Sequence, residues 1–161
     1  MSTRRSWIFL YPMQCMGYFF IKGEIMQMTL IKNTDATATM AYKIARVVYA
    51  ETGATSLAGV EALTSMIKNL SEKSGVDVEA IIADKDIFQS LNQSSPKNER
   101  LGVRADNRAF QMCVRVASRM LAGGLSDACY GATKFHSVDV MPGWAVARGY
   151  IADIDGMLFY L

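Results

Sequence analysis

The stretch ATATMAYKIARVVYAET, residues 36–52, carries the clearest helical pattern in the chain. Its apolar side chains recur at spacings of three and four residues, which is typical of a helix with one buried face: Met40, Ile44, Val47 and Val48. Glu51 continues that face, because it follows Val47 by one helical turn. The stretch therefore predicts an amphipathic helix, capped at Thr34 or Asp35, that carries a carboxylate on its apolar side.

Three more helices are predicted in the middle of the chain, each from its apolar spacing and from the residue at its end. They span 57–73, ending at Ser74-Gly75; 77–84, capped by Asp77; and roughly 105–122, ending at Gly123-Gly124. Residues 86–102 are polar and lack a clear period. The last helix is expected to turn Phe110, Cys113 or Val114, Ala117 and Leu121 inward.

The end of the chain changes character. Asp155-Gly156 separates two short apolar runs within YIADIDGMLFY, residues 150–160. Such a pair favours a type I′ hairpin turn, because both central residues of that turn take positive φ. Pro142-Gly143 predicts another turn before it. The predicted fold class is α+β, mostly α, with a short C-terminal β-hairpin.

Composition limits the class of protein. The chain has 161 residues, of which 51% are hydrophobic and 20% charged, and this indicates one globular domain with a real core. A net charge of +2 without a Lys/Arg run argues against nucleic acid as a partner. Three cysteines without a CxxC pair and one histidine argue against a disulfide framework or a zinc site. Neither a metal nor a cofactor is expected.

The first 33 residues are expected to precede the domain, which we place at 34–161. A basic STRRS is followed by the apolar run WIFLYPMQCMGYFFI, residues 7–21, as in a secretory signal, although no A-x-A cleavage pattern follows. The run is short for a bilayer span, so no stable membrane insertion is expected. The alternative is an extension ahead of a natural start at Met26 or Met28.

Glu51 has the placement that a general acid requires. The last turn of a helix faces the negative end of the helix dipole, which disfavours an ionised carboxylate. Partial burial favours the neutral form as well. A carboxyl group that keeps its proton near neutral pH can donate it in catalysis. The structural alternative is a carboxylate at the helix edge that reaches solvent or pairs with Arg46 or a lysine.

Five short blocks follow one another along the chain: VVYAE (47–51), DIFQSLNQ (86–93), GATKFHS (131–137), MPGWA (141–145) and LFY (158–160). Gly59, Ala62 and Asn69 fall between the first two. This series resembles the SleB-type cell wall hydrolases, whose pattern has Y-x-E-A-x-G-E, a second helix ending in N-R, a Phe-Ser segment, G-A-T-x-[FY]-H, Pro-x-Trp and a closing F-Y. The resemblance covers about 120 residues, roughly Ala41 to Tyr160.

The chain departs from the family pattern at several positions, while Glu51 and His136 are kept. The substituted positions are Thr55 for the second Glu, Leu70 for the Arg of N-R, Lys134 for a His, Asp155 for a Gly and Met157 for a second His.

The resemblance implies a small lysozyme-like, transglycosylase-like domain that cleaves peptidoglycan glycan strands between N-acetylmuramic acid and N-acetylglucosamine. As a lytic transglycosylase it would use Glu51 alone, first as acid on the leaving oxygen and then as base on the sugar's own C6 hydroxyl. Hydrolysis would need a second carboxylate, for which Glu61, Asp86 and Asp139 lie in less motif-like settings. Such a protein acts outside the inner membrane, either exported to the periplasm or wall, or as a phage-type lysin made in the cytoplasm and released to the wall.

The resemblance also implies a set of substrate-binding residues: Tyr49, Phe88, Ser90, Thr133, His136, Trp144 and Tyr160. Each has a structural alternative. The indole of Trp144 stacks on a sugar ring or anchors the hairpin, and Phe88 contacts substrate or belongs to the core. Hydroxyls such as those of Ser90 and Thr133 bind sugar, steady Glu51 or cap a turn. Likewise, the histidine orients a groove residue or is structural, and the two tyrosines supply hydroxyls or pack.

Two other classes of function stay open. A cysteine peptidase acting on the peptide stems would pair Cys113 or Cys129 with His136, but Cys113 is expected in the core and no Asn/Asp partner stands out. A non-catalytic peptidoglycan-binding or interaction protein of the same family is favoured by the substitutions at Thr55, Leu70 and Met157. Sensitivity to thiol blockers would identify the peptidase. Binding without cleavage would identify the binder.

Overall fold

Residues 39–161 are described by the computed structural model. Within them the helices are α1 (Met40–Thr52), α2 (Leu57–Ser74), α3 (Val78–Ile82) and α4 (Arg108–Leu121), and the strands are β1 (Lys134–Ser137), β2 (Ala152–Ile154) and β3 (Met157–Tyr160). Two 3-10 helices, Gln89–Leu91 and Asn98–Gly102, lie between α3 and α4 in the chain. The predicted extension 1–33 and the predicted caps Thr34 and Asp35 lie outside the described residues, and the N-cap position of α1 is Thr39.

Glycines end α1 and α2. Gly53 and Gly75 take φ values of 64° and 70°, and the N–H of each donates to the carbonyl four residues earlier. A residue with a side chain is strained at such φ, so these glycines fix where the helices stop. The next helix starts at once, since the Ser56 hydroxyl accepts the Gly59 N–H at 3.0 Å. This short turn places the start of α2 beside the last turn of α1.

The core lies where α1 packs against α4 and α2. The predicted apolar face of α1 is confirmed, because Ile44, Val47 and Val48 are no more than 5% exposed. Glu51 is buried with them, at 6% exposure for the whole residue. The Glu51 side chain is therefore the C-terminal member of the apolar face of α1.

The helix predicted at 105–122 begins later than expected, at Arg108. Asn107 is its cap, and its side-chain oxygen accepts the N–H groups of Ala109 and Phe110 at 2.9 and 3.1 Å. The prediction that Leu121 faces inward is wrong, because Leu121 is 47% exposed while Met120 is buried. Met120 follows the buried Ala117 by three residues, so it continues the inward face into the last turn.

The sheet is antiparallel, in the order β1-β3-β2. The predicted hairpin is confirmed: Ile154 pairs with Met157, and the turn residues Asp155 and Gly156 have φ values of 55° and 72°. The third strand, β1, is absent from the sequence prediction. It has only four residues, and two neighbouring ones are both buried, so it lacks the alternation that marks a strand. The α+β, mostly α fold class is confirmed.

The segment between β1 and β2, residues 138–151, contains the predicted turn at Pro142-Gly143. The Pro142 carbonyl accepts the Ala145 N–H at 2.9 Å. This turn carries Trp144 back against the sheet, where its ring meets those of His136 and Tyr160. Three of the sequence blocks, GATKFHS, MPGWA and LFY, are thereby brought together.

Candidate functional site

Glu51 is a buried carboxylate with two hydrogen-bond donors. Its side chain is 1% exposed. The backbone N–H of Ser90 donates to Oε1 at 2.7 Å, and the Lys97 ammonium donates to Oε2 at 3.0 Å. Each oxygen of the carboxylate therefore has a donor of its own, one neutral and one charged.

The two 3-10 helices position both donors. Phe88 directly precedes the first of them and is fully buried. Two residues later, the Ser90 N–H donates to Glu51. The Asn98 side-chain amide donates to the Ser90 carbonyl at 2.8 Å and so ties the second 3-10 helix to the first. Lys97 directly precedes Asn98 in the chain, so the Asn98–Ser90 hydrogen bond also holds Lys97 in place. The polar segment without a clear period thus supplies the charged partner of the carboxylate.

Glu51 is buried at the C-terminal end of α1, and its charged partner is a lysine. The sequence left open a pairing of this carboxylate with Arg46 or a lysine, and the structure shows the pairing with Lys97. Arg46 instead donates to the carbonyls of Leu101 and Val103.

A cavity of about 320 Å³ opens beside this carboxylate. Several predicted site residues share its wall, namely Glu51, Thr133, His136 and Trp144. They come from α1, from the start of β1 and from the turn after it, so elements far apart in the chain meet here. The other lining residues are Leu70, Asp86, Ile87, Gln89, Lys97, Lys134, Phe135, Ser137 and Pro142.

His136 has both ring nitrogens engaged. Nδ1 lies 2.8 Å from the Ser137 carbonyl, and Nε2 lies 2.9 Å from the Tyr160 hydroxyl. A carbonyl only accepts, so Nδ1 donates to it, and Nε2 shares its hydrogen bond with the tyrosine hydroxyl, which can donate or accept. The two rings also stack, with centroids 5.4 Å apart. His136 is thereby held rigidly in the cavity wall, and Tyr160 acts behind it.

Trp144 is the large aromatic side chain at the mouth of the cavity. It is 37% exposed, and its ring meets Tyr160 and His136 edge-to-face, with centroids 5.2 and 5.8 Å away. The Lys134 ammonium lies 5.4 Å from the indole centroid, within cation–π range. A partly exposed indole of this kind offers a surface on which a sugar ring can stack.

Four predicted substrate contacts are placed elsewhere. Phe88 has 0% exposure and packs on Phe135, so it has no surface for a ligand and its core alternative holds. Tyr49 packs on Phe110 and lines a separate open cavity of about 600 Å³. Ser90 serves Glu51 through its backbone, and its buried hydroxyl has no hydrogen-bond partner within residues 39–161. Tyr160 is 3% exposed and contacts the cavity wall from behind, through His136 and Trp144.

Three charged residues of the cavity wall were not among the predicted site residues. Lys97 and Lys134 line it, and so does Asp86, which had been considered only as a possible second carboxylate. Asp86 is exposed, and no hydrogen bond from its side chain is found within residues 39–161. Asp139, the other acid near a motif, accepts from Ser137 at 3.2 Å and does not line the cavity. Lys97 has no local sequence signal, because its role depends on a contact with a distant helix.

Two departures from the family pattern contact each other. The Thr55 hydroxyl donates to Asp155 Oδ2 at 2.6 Å, which links the start of α2 to the hairpin turn. Asn69 also makes structural contacts. Its amide donates to Asp127 Oδ1 at 3.2 Å and to the Ala132 carbonyl at 3.3 Å. These contacts hold the chain that leads into β1.

The two cysteines in the described residues are poor nucleophiles. Burial raises the pKa of the Cys113 thiol to about 12. Burial, together with the hydrogen bond and charge of Asp127, raises the pKa of Cys129 to about 12. A thiolate is the reactive form, and it is scarce at neutral pH under these conditions. Since both nitrogens of His136 are already bonded to other groups, the cysteine-peptidase hypothesis has no assembled pair to support it.

No family model, curated protein or solved structure matches this chain. Within residues 39–161, no three His, Cys, Asp or Glu side chains are grouped so that they could hold a metal ion. In the same part of the chain, every helix is too short or too polar to cross a membrane.

Proposed function

We propose that this protein cleaves the glycan strands of peptidoglycan, at the bond between N-acetylmuramic acid and N-acetylglucosamine, with Glu51 as the catalytic acid. One observation carries the proposal: a carboxylate that is 1% exposed forms part of the wall of a cavity that Trp144 and His136 also line. A buried acid beside a partly exposed aromatic ring suits a glycosidase, which must protonate a leaving oxygen next to a bound sugar.

In the proposed reaction, the Glu51 proton passes to the glycosidic oxygen as the bond between that oxygen and C1 of one sugar breaks. The C6 hydroxyl oxygen of that sugar then bonds to its C1, and the hydroxyl proton returns to the Glu51 carboxylate. The product is an internal anhydro sugar, and no water is consumed. Because the attacking hydroxyl is already tethered, little entropy is lost in bringing it to C1.

Hydrolysis is the second course that the cavity supports. Asp86 lines the same cavity as Glu51 and is exposed to solvent, so it is our candidate for the base that activates a water. In that case the product carries an ordinary reducing end. Asp86→Asn would then abolish cleavage, whereas the single-carboxylate reaction needs no second acid.

The test is mass spectrometry of the soluble products that the purified protein releases from peptidoglycan. Anhydro-muropeptides that disappear in Glu51→Gln support a lytic transglycosylase, and reducing-end products that disappear in Asp86→Asn support a hydrolase. Glu72→Gln is the matched control, because Glu72 is an exposed acid whose ion pair with Lys68 is long, at 3.8 Å. An intact, folded protein that releases nothing from several peptidoglycan types would contradict the proposal.

A non-catalytic glycan-binding protein is the second candidate function. The observation in its favour is the Lys97 contact, which favours a carboxylate without the proton that an acid must donate. Sedimentation with insoluble peptidoglycan, without release of products, would identify such a protein. In both cases the partner is the glycan strand, and the protein reaches it by export to the periplasm or wall, or as a released phage-type lysin. Neither function calls for a cofactor.

A further inference from the structure

Within residues 39–161, no third charged group forms an ion pair with Glu51 or Lys97. The Lys97 ammonium donates to Glu51 Oε2 at 3.0 Å, and it bonds to no other acceptor in the part of the chain that is described. Its side chain is 21% exposed and lines the cavity. The Glu51 carboxylate is therefore shielded from solvent, whereas the Lys97 side chain is accessible to solvent.

Other titratable groups face the carboxylate from the elements around it. Asp86 and Lys134 line the cavity with opposite charges, and the ring of His136 lines it as well. Arg100 lies nearby, where its guanidinium donates to the Ala50 carbonyl at 3.4 Å. None of these is in hydrogen-bond contact with the Glu51 oxygens within residues 39–161. Lys97 is thus the charged group with the strongest direct effect on the carboxylate.

We propose that Lys97 is a positioning residue whose ammonium, hydrogen-bonded to Glu51 Oε2 at 3.0 Å, limits the pH range in which Glu51 can act as an acid. This inference deepens the proposed function and rests on it for its effect on cleavage. Removing Lys97 leaves a buried carboxylate at the end of α1 with one neutral donor, the Ser90 N–H. Such a carboxyl group retains its proton to higher pH.

Lys97→Met is expected to extend cleavage to higher pH. The alkaline limb of the kcat/KM profile should move upward by about 1 to 3 pH units, the range by which one close opposite charge shifts a carboxyl group. Lys97→Arg keeps the positive charge and should leave the limb near its wild-type position. Lys85→Met is the matched control, because it removes the same charge from a side chain that does not line the cavity.

A second measurement does not depend on cleavage. The carbon-13 chemical shift of the Glu51 carboxyl group is followed against pH in the wild-type protein and in the three variants. The transition is expected at higher pH in Lys97→Met than in the other three proteins. Movement of both this transition and the rate limb, with recovery in Lys97→Arg, is the result that a merely structural lysine would not give.

Failure of the inference differs from failure of the proposed function. A Glu51 transition at the same pH in wild type and Lys97→Met would overturn the inference, whatever the activity. A Lys97→Arg protein that behaves like Lys97→Met would overturn it as well, because the charge would then not be the cause. A shifted carboxyl transition in a protein that cleaves no peptidoglycan would support the electrostatic control by Lys97 and count against the proposed function alone.

Discussion

Glu51 combines a buried position with two hydrogen-bond donors, the Ser90 N–H and the Lys97 ammonium. The burial was visible in the spacing of the α1 residues, because a helix has a fixed period. The donors were not, since Ser90 and Lys97 lie 39 and 46 positions away in the chain. No local pattern can indicate contacts of that range. For Glu51, the sequence thus predicts where the side chain lies, whereas folding supplies the charged and polar groups around it.

Ser90 allows a test of which part of a residue matters. Its N–H serves Glu51, while its hydroxyl is buried without a hydrogen-bond partner in the described part of the chain. We expect Ser90→Ala to keep the carboxylate contact and to raise the free energy of unfolding by about 1 kcal/mol, because an unsatisfied buried hydroxyl is removed. Urea denaturation measures the change. A loss of stability instead would indicate that the hydroxyl makes a stabilising contact.

At the scale of elements, the start of α2 packs closely against the hairpin turn. A Cβ added at Gly59 would lie 2.5 Å from Asp155 Oδ2 and 2.9 Å from Asp155 Cβ. Thr55 binds the same carboxylate from the turn before α2. Thus a helix that the sequence predicts from its apolar spacing, and a hairpin that it predicts from Asp155-Gly156, are joined by contacts that neither pattern contains.

We expect Gly59→Ala to destabilise the protein by about 1–3 kcal/mol, although alanine is the better helix former, because the added methyl group overlaps Asp155. In an Asp155→Gly background the overlap is gone, and the same substitution should be neutral or stabilising. The free energies of unfolding of the four proteins form a double-mutant cycle. Gly102→Ala is the control, since nothing lies within 4 Å of its added Cβ. Equal effects of Gly59→Ala in both backgrounds would rule out this fit.

At the scale of the whole molecule, the segment between α4 and β1 determines where β1 lies, and α2 holds this segment in place. Asp127 is its centre. Its carboxylate accepts the N–H groups of Cys129 and Gly131 at 3.0 and 2.5 Å, and the Asn69 amide at 3.2 Å. Desolvation by burial raises the pKa of Asp127, but these hydrogen bonds and that of the Cys129 thiol outweigh it and lower the pKa below its ordinary 3.8. This segment places β1, and with it the cavity wall, against the helices.

Asp127→Asn should make the protein less stable at neutral pH, by an amount that depends on pH. Because the pKa is lowered on folding, the unfolded chain binds the proton more tightly, and the stabilisation is complete above the ordinary pKa of 3.8. It is lost as the pH falls through the lower folded value. The gap in urea midpoint between wild type and variant should therefore be largest at neutral pH and shrink below about pH 4. A gap that stays constant down to the lowest accessible pH would mean that the carboxylate charge plays no part.

The sequence alone determined the helices, the hairpin and the buried position of Glu51, since each follows from local periodicity or from the positive φ that a turn such as Asp155-Gly156 requires. It also singled out His136 and Trp144, which the structure places in one cavity wall with Glu51. Only the tertiary structure decided that Lys97 binds the carboxylate, that Phe88 belongs to the core and that residues 134–137 form a strand. Those outcomes depend on packing and charge contacts between distant segments, and such contacts exist only once the chain has folded.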